Sequence, residues 1–461
     1  MVEKRNNSYI FTNNTETELE KFVGIEAYLA PKCIGTSGVY KHSPKDFIVK
    51  EITKDGQVLS IKENLTSLDF SDEMKDRYTT FNLVKVNKDT FDAIKEISRA
   101  LHISPNHVHY SGLKDKCSIS VQKLSIKGSH VEALKKLNIN EIFIKNITPT
   151  KKPVVMGSNR GNKFTITIRN IEKAPRIEKN IDDVLKLLKE KGFLNYYGLQ
   201  RFGTYRPNSH LIGRYILEGN YRKAVEEFLS TIYSSESLHI QSIRKLLGDD
   251  GDLQTAYDTF PKSMDYERKI IKHLLNNNGD YEGAIYTLPE NLIKLILSSF
   301  QSFLFNKILT RRIIKGYSLF KPEKGDVITI LDEVEGLITQ IRYKYGSYYD
   351  EFLEEALKLN RAAIIIPLIG YETNLNDFPL VKRLLDEILI EEGIDEEIFR
   401  SELYYKYEFK GSFRPILAKP IGLSIKAFTE DEIFPNKLKL IIDFTLNRGS
   451  YATMLLRELL K

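Results

Sequence analysis

Residues 109–122 read His-Tyr-Ser-Gly-Leu-Lys-Asp-Lys-Cys-Ser-Ile-Ser-Val-Gln, and they contain the most unusual local pattern in the chain. Asp115 lies between Lys114 and Lys116, three residues after a glycine that permits a tight turn. Neighbouring cations favour the ionised form of a carboxyl group. An ionised carboxylate suits a nucleophile or an electrostatic stabiliser, so Asp115 is a candidate catalytic residue. The alternative interpretation is a surface turn with solvated charges.

A second segment, residues 195–203, reads Asn-Tyr-Tyr-Gly-Leu-Gln-Arg-Phe-Gly. It combines an amide, two phenols and a guanidinium within nine positions. Recognition of an RNA base uses such groups, because rings stack on the base, an amide pairs with its edge and arginine binds phosphate or a carboxylate. A buried turn with core aromatic residues is the alternative.

Positive charge is concentrated between residues 101 and 170. This segment has twelve Lys or Arg and three Asp or Glu, a local charge of +9, whereas the whole chain carries +6. We expect a phosphate-binding surface here. Residues 386–402 have the opposite sign, −7, and are expected to face away from RNA. A solvated face remains the alternative for either segment. The candidate phosphate contacts are Lys114, Lys116, Lys151, Lys152 and Arg160.

Length, composition and motifs exclude several classes of protein. With 461 residues, the chain has room for roughly two or three domains. Neither a membrane span nor a signal peptide is predicted, since the most apolar stretch, Ala362–Gly370, is short and residues 1–14 lack an apolar segment. The two cysteines fit a cytoplasmic protein without a disulfide framework. We find no spacing typical of a metal site, a nucleoside triphosphate loop or a dinucleotide fingerprint, so no cofactor is expected.

The hydrophobic pattern predicts strands and helices without a regular βαβ rhythm, which favours an α+β fold. The predicted strands are residues 47–49, 81–86, 163–168 and 438–444. The predicted helices are residues 90–101, 181–189, 222–230, 299–314 and 451–460.

Two further segments, Lys41–Glu51 and Phe444–Glu458, complete a set of four. Together, in order and spacing, the four resemble the TruD family of tRNA pseudouridine synthases from about residue 38 onward. The residues that match the family pattern are Lys41, Pro44, Asp46, Phe47, Val49 and Glu51; Gly112, Lys114, Asp115, Lys116 and Gln122; Asn195, Gly198, Gln200, Arg201, Phe202 and Gly203; Gly449 to Thr453 and Leu456 to Glu458.

The resemblance implies a pseudouridine synthase catalytic domain, with a mixed, largely antiparallel sheet and flanking helices, interrupted by a large inserted TRUD domain. We place the catalytic domain at residues 38–220 and 416–461, the insertion at 221–415 and an N-terminal extension at 1–37. The implied reaction is isomerisation of uridine to pseudouridine in tRNA, at position 13 of the D-arm. No metal, cofactor, membrane or obligatory protein partner is implied.

The resemblance also assigns roles to individual residues. Asp115 is the implied nucleophile and Lys41 is the lysine that contacts it. The implied substrate-binding residues are Phe47, Asn195, Tyr197, Gln200, Arg201 and Tyr451.

Two other functions stay open on the sequence alone. One is a non-catalytic protein of the same fold that binds and remodels RNA. The other is an enzyme that acts on a small molecule, with the basic segment merely solvated.

Overall fold

The computed structural model describes residues 15–65, 78–203, 206–249, 251–333, 336–346 and 348–461. Its described strands, in chain order, are β1 (Val39–Tyr40), β2 (Phe47–Ile52), β3 (Tyr78–Val86), β4 (Val108–Tyr110), β5 (Ile119–Lys127), β6 (Ile142–Thr150), β7 (Gly161–Ile171), β8 (Phe193–Leu194), β9 (Val327–Leu331), β10 (Ile338–Lys344), β11 (Ala362–Leu368), β12 (Ser412–Pro415), β13 (Leu417–Ala418), β14 (Ile421–Glu430) and β15 (Leu438–Asn447). The described α-helices are α1 (Thr15–Phe22), α2 (Thr90–Ala100), α3 (Val131–Lys136), α4 (Ile177–Lys191), α5 (Ser209–Leu217), α6 (Tyr221–Leu229), α7 (Leu238–Asp249), α8 (Leu253–Thr259), α9 (Asp265–Asn276), α10 (Tyr281–Tyr286), α11 (Glu290–Ile314), α12 (Asp350–Lys358), α13 (Pro379–Glu392), α14 (Leu403–Lys406) and α15 (Ala452–Leu460).

The chain divides into two compact units. The sheet unit comprises residues 33–193, 334–337 and 418–461, and the helical unit comprises residues 1–32, 194–333 and 338–417. These limits differ from the predicted domain limits, because residues 194–220 group with the helical unit. The reason is close packing of α5 on α11: a Cβ built on Gly213 would lie 2.5 Å from the Ile296 carbonyl oxygen. Of the predicted N-terminal extension, residues 1–14 lie outside the described residues.

The sheet unit is built on one mixed sheet. Its strand order is β14-β15-β7-β2-β5-β3-β6, with β1 paired to β7 and β4 paired to β5. The pair β2–β5 is parallel, and the other recorded pairs in this sheet are antiparallel. The predicted α+β fold with a mixed, largely antiparallel sheet is therefore confirmed.

One face of this sheet carries the core of the unit. Phe81 and Leu83 of β3 pack with Leu124 of β5 against Ala93 and Ile97 of α2. The helix α2 begins as its sequence predicts, because the Asp89 side chain accepts a hydrogen bond from the Phe91 amide. Alternation along each strand then assigns every second side chain to the helix-covered face and the others to the opposite face.

The helical unit centres on α11. This 25-residue helix is long and apolar enough to cross a membrane by length and composition, which our sequence analysis did not anticipate. Its most apolar window is 72% buried within the protein, so α11 is packed as a core helix. The unit also contains a four-stranded antiparallel sheet in the order β10-β9-β11-β12.

Candidate active site

The parallel pair β2–β5 brings two of the predicted catalytic residues together. Ile48 of β2 is paired with Ile119 of β5, so the loops that precede both strands lie at the same edge of the sheet. Lys41 is in the first loop and Asp115 in the second. Lys41 Nζ donates a hydrogen bond to Asp115 Oδ2 at 2.9 Å, and the two side chains are 17% and 30% exposed. The site therefore holds a charge-assisted pair that solvent, or a substrate, can reach.

A buried carboxylate fixes the loop that carries Lys41. Asp46 Oδ2 accepts a hydrogen bond from the Ser43 amide at 2.8 Å and one from the Ser43 hydroxyl at 3.1 Å. Asp46 Oδ1 accepts from Arg169 Nε at 2.8 Å, and the same guanidinium binds Asp431. Lys41 itself has a φ of +61°, a left-handed conformation that such a held loop can impose.

The ring of Phe47 lies beneath the Lys41 ammonium, whose Nζ is 4.3 Å from the ring centroid. The ring is 1% exposed and packs edge-on against Phe164. Cation–π attraction therefore helps to position Lys41. The predicted contact between Phe47 and the substrate stays a prediction.

The backbone of Asp115 is held by a fully buried lysine on β3. Lys85 Nζ donates to the carbonyl oxygens of Asp115, at 2.7 Å, and Lys88, at 2.6 Å. The Ser118 hydroxyl also donates to the Asp115 carbonyl at 2.7 Å. Burial lowers the pKa of Lys85 to about 8, against the opposing effect of Asp89 and Asp115. Sequence reasoning missed Lys85, although its alternation with the inward-facing Phe81 and Leu83 was a usable signal.

Lys114 points the other way from Asp115. Its ammonium lies 2.7 Å from Glu51 Oε2, in a pair whose side chains are 3% and 1% exposed. Glu51 also accepts from the Ser111 hydroxyl at 2.7 Å and from the Lys123 amide at 3.1 Å. The expectation that Lys114 binds RNA phosphate is therefore wrong, because its charge is buried and paired.

Other basic candidates are accessible in the sheet unit. Lys116, Lys151 and Lys152 are exposed, and Arg160 is half-buried. Tyr451 is half-buried and precedes α15 as its N-cap residue. Their predicted contacts with RNA stay predictions.

In the helical unit, the predicted residues 195–203 form a second polar cluster. Asn195 is 3% exposed: its Nδ2 donates to the Pro415 carbonyl at 2.9 Å, and its Oδ1 accepts from Arg414 at 2.8 Å. The Arg414 guanidinium also lies 3.9 Å from the Tyr197 ring centroid. Arg414 was missed, since it is more than 200 residues away along the chain. The amide of Asn195 thus organises this cluster, and its predicted contact with the base stays a prediction.

The remaining two candidates of that segment differ in exposure. Arg201 is half-buried and donates to Ser302 Oγ at 3.1 Å and to Ser298 Oγ at 2.5 Å, both on α11. Gln200 is exposed. The arginine holds its loop on the long helix, whereas the glutamine is accessible to a ligand.

The chemistry available at the Lys41–Asp115 pair is that of an ionised carboxylate on a fixed backbone beside one cation. Such a group can attack an electrophilic carbon or stabilise a developing positive charge. Among the described residues, no group of three or more His, Cys, Asp or Glu is arranged to hold a metal ion.

Comparison with known proteins gives consistent matches along the chain. The family model described as tRNA pseudouridine synthase D (TruD) matches residues 22–459. A Methanosarcina mazei protein named "Probable tRNA pseudouridine synthase D" is 32% identical over 451 residues, covering 96% of this chain and 98% of that protein. A Methanocaldococcus jannaschii protein named "Probable tRNA pseudouridine synthase D 1" is 32% identical over 435 residues, covering 92% and 96%. The fold is similar to the crystal structure of the "Putative tRNA pseudouridine synthase D (TruD)" from Methanosarcina mazei, with a TM-score of 0.72, 31% identity and coverage of 96% of this chain and 98% of that chain.

Proposed function

This chain belongs to the tRNA pseudouridine synthase D (TruD) family, as its four sequence segments predicted, and from that premise we propose that it isomerises the uridine at position 13 of the tRNA D-arm, with Asp115 as nucleophile and Lys41 as its partner. The protein is an isomerase: the bond between uracil and ribose breaks, the base turns, and a carbon–carbon bond rejoins base and sugar. Substrate and product have the same atoms, so the reaction consumes no oxidant, reductant or nucleoside triphosphate.

The observation that supports this assignment is the 2.9 Å contact between Lys41 and Asp115. The reaction needs an ionised carboxylate at the junction of ribose and base, whether that carboxylate attacks the sugar or the base. Lys41 donates a charge-assisted hydrogen bond to this carboxylate, and Lys85 and Ser118 fix the backbone that carries it. This arrangement argues against a protein that only remodels RNA, because remodelling needs no carboxylate held at the junction of ribose and base.

The target uridine has to leave its stack, at a cost of a few kcal/mol. Stacking on an aromatic ring stabilises an unstacked base by about 1–3 kcal/mol, which can offset this cost. We assign the stacking role to Tyr451, which is half-buried in the sheet unit. Phe47 and Asn195 also contact Lys41 and Arg414, and their own contacts with the substrate remain part of the proposal.

Substrate and compartment follow from the same proposal. The RNA is tRNA, held in part through exposed Lys116, Lys151 and Lys152. Because tRNA is modified where it circulates, the enzyme acts in the cytoplasm, and the reaction requires no second protein.

The test is pseudouridine mapping on an unmodified tRNA transcript with the wild type and with Asp115→Asn. Asparagine preserves the shape of the side chain and removes its charge. We expect product at one D-arm uridine with the wild type and a loss of at least about 10³-fold in rate with the variant, at equal tRNA affinity. A transcript with cytidine at position 13 is the matched control.

Two results would overturn the proposal. Tight tRNA binding by both proteins without product from either would indicate an RNA-remodelling protein. Absence of both product and binding would indicate a small-molecule enzyme.

A further inference from the structure

Two lysines face each other directly across neighbouring strands of the sheet unit. Lys50 of β2 is the antiparallel partner of Lys163 of β7. Side chains in such a pair have Cβ atoms about 4.5–5.5 Å apart, and like charges in this position are destabilising. Both lysines are half-buried, and in the described part of the chain neither ammonium has a hydrogen bond or an ion pair with another side chain. The fold therefore keeps a repulsive pair that a single substitution would relieve.

The pair lies on the face of the sheet opposite to α2. Val49 and Glu51 of β2 are buried, whereas Ile48 and Lys50 alternate with them and are half-buried. Lys50 lies level with Val121 of the parallel strand β5. This assigns the two ammonium groups to the face opposite α2, where Val121 is fully buried in a small cluster with Leu59 and Val84.

The pair is also close to the candidate active site. Lys50 is two residues, about 7 Å, along β2 from Ile48. Ile48 and Ile119 are paired where the two parallel strands begin, immediately after the loops that carry Lys41 and Asp115. Phe47, whose ring lies under the Lys41 ammonium, alternates with Ile48 and Lys50, so the lysine pair faces away from that ring. An RNA strand with its target base at Asp115 would therefore have to pass this edge of the sheet to contact the pair.

We infer that Lys50 and Lys163 together bind one phosphate of the RNA backbone beside the target nucleotide. This inference rests on the proposed function, since it assumes an RNA substrate at Asp115. A phosphodiester carries one negative charge and oxygen acceptors, and each ammonium offers three donors. An anion between the lysines turns their repulsion into two attractions, which accounts for a like-charge pair in a folded sheet.

The surrounding charges agree with an anion site. Lys123 of β5 lies two residues beyond Val121 on the same face, with Asp55 as an electrostatic neighbour. Asp443 of β15 is one strand further away, and its Oδ2 is 3.5 Å from Lys426. Among the described residues, neither carboxylate forms an ion pair with Lys50 or Lys163, although the buried Asp443 Oδ1 has no hydrogen-bond partner there.

The test compares Lys50→Gln and Lys163→Gln with Lys95→Gln, whose exposed lysine lies on α2 at the other face. For each protein, the dissociation constant for unmodified tRNA is measured from 50 to 200 mM salt, and the melting temperature is measured without RNA. Loss of one phosphate contact lowers the slope of log affinity against log salt by about 0.7–0.9. We expect that decrease in both site variants and no change in Lys95→Gln.

The melting temperature supplies a signature that ordinary RNA-binding lysines lack. Each site variant is expected to melt about 1–3 °C higher than the wild type, because the repulsion is removed. The double variant should melt no higher than either single variant, since both relieve the same pair. An unchanged salt slope, or a slope change equal to that of Lys95→Gln, would overturn the inference.

Measuring product formation as well as binding separates failure of this phosphate site from failure of the proposed function. Pseudouridine formation at saturating tRNA in low salt measures Asp115 chemistry, and it is expected with the wild type and with the control Lys95→Gln. Product with an unchanged salt slope rejects the phosphate site alone. A decreased slope with no product, even from the wild type, rejects the isomerase assignment and keeps an RNA-phosphate contact.

Discussion

Two lysine–carboxylate pairs join the same two segments of the sheet unit, and they differ in burial. Lys114 and Glu51 are 2.7 Å apart and at most 3% exposed, whereas Lys41 and Asp115 are 2.9 Å apart and 17% and 30% exposed. Lys114 and Asp115 are consecutive residues whose side chains enter different pairs. A lysine–carboxylate pair thus stabilises the fold where it is buried, and a second pair of the same kind is available for the reaction at the edge of the sheet.

The two carboxylates, Glu51 and Asp115, differ in the number of hydrogen bonds that they accept. Glu51 accepts from Lys114, from the Ser111 hydroxyl and from the Lys123 amide. Within the described residues, Lys41 is the hydrogen-bond donor recorded for the Asp115 carboxylate. A carboxylate with spare lone pairs can act on a substrate, while one that is fully bonded can only hold the fold together.

The largest expected effect comes from breaking the buried pair. Glu51→Gln removes one charge and leaves the Lys114 ammonium uncompensated, which costs about 3–5 kcal/mol in the free energy of unfolding. Urea denaturation of the purified protein measures this loss. The double variant with Lys114→Met should recover most of it, because Gln keeps an acceptor for the Lys123 amide. A loss below about 1 kcal/mol in the single variant would mean that the pair does not stabilise the fold.

Breaking the partly exposed Lys41–Asp115 pair should lower the activity of the enzyme but leave its stability nearly unchanged. Lys41→Met is expected to lower the single-turnover rate about 10²-fold, as for other single electrostatic contacts to a reacting group. Its free energy of unfolding should change by less than about 1 kcal/mol, since partly exposed pairs contribute little. Lys41→Arg keeps the charge and should restore part of the rate. Equal losses of stability in Lys41→Met and Glu51→Gln would erase the distinction between the two pairs.

The smallest expected effect is a pH dependence of the free energy of unfolding, and it comes from the buried lysine Lys85. Its pKa is lowered to about 8 in the folded protein, from an ordinary value of 10.5. Between these values the unfolded chain binds more protons than the folded one, so this group makes the free energy of unfolding rise with pH. The rise begins near pH 8 and ends near pH 10.5.

The measurement for Lys85 is the unfolding free energy of the wild type and of Lys85→Met at pH 7 and pH 10. We expect the wild type to gain stability relative to the variant as pH rises, because a buried charge is lost. Parallel pH curves for the two proteins would show that Lys85 is not buried as a cation.

Sequence patterns predicted the class of fold and nine of the thirty described strands and α-helices, but not their limits. The strand predicted at residues 81–86 begins at Tyr78, and the helix predicted at 299–314 begins at Glu290. Both extensions are polar or mixed in sequence, and tertiary packing recruits them. The pairing of Lys41 with Asp115 was implied by the family resemblance alone, since 74 residues separate them.

The direction in which each side chain points was the main feature that the sequence could not predict. Lys114 and Lys116 flank Asp115 alike in the chain, yet one is buried and the other is exposed. The difference depends on Glu51, which the parallel strand β2 brings to Lys114. Likewise, the Asn195 amide looked free for a base because its partner Arg414 is distant in sequence.

The strand β7 pairs with a strand, β15, that the ribosome synthesises much later, and this delay affects how the chain folds during synthesis. It pairs with β2 on one side and with β15 on the other, and β15 is encoded after the whole of residues 194–417. At a translation rate of about 5–20 residues per second, the ribosome needs about 11–45 s to produce that stretch. During this interval the nascent chain exposes an unpaired edge, which invites aggregation. Slow elongation through residues 194–417 should therefore increase the demand of this enzyme for chaperones, and the C-terminal strand should be the last to confer protease resistance.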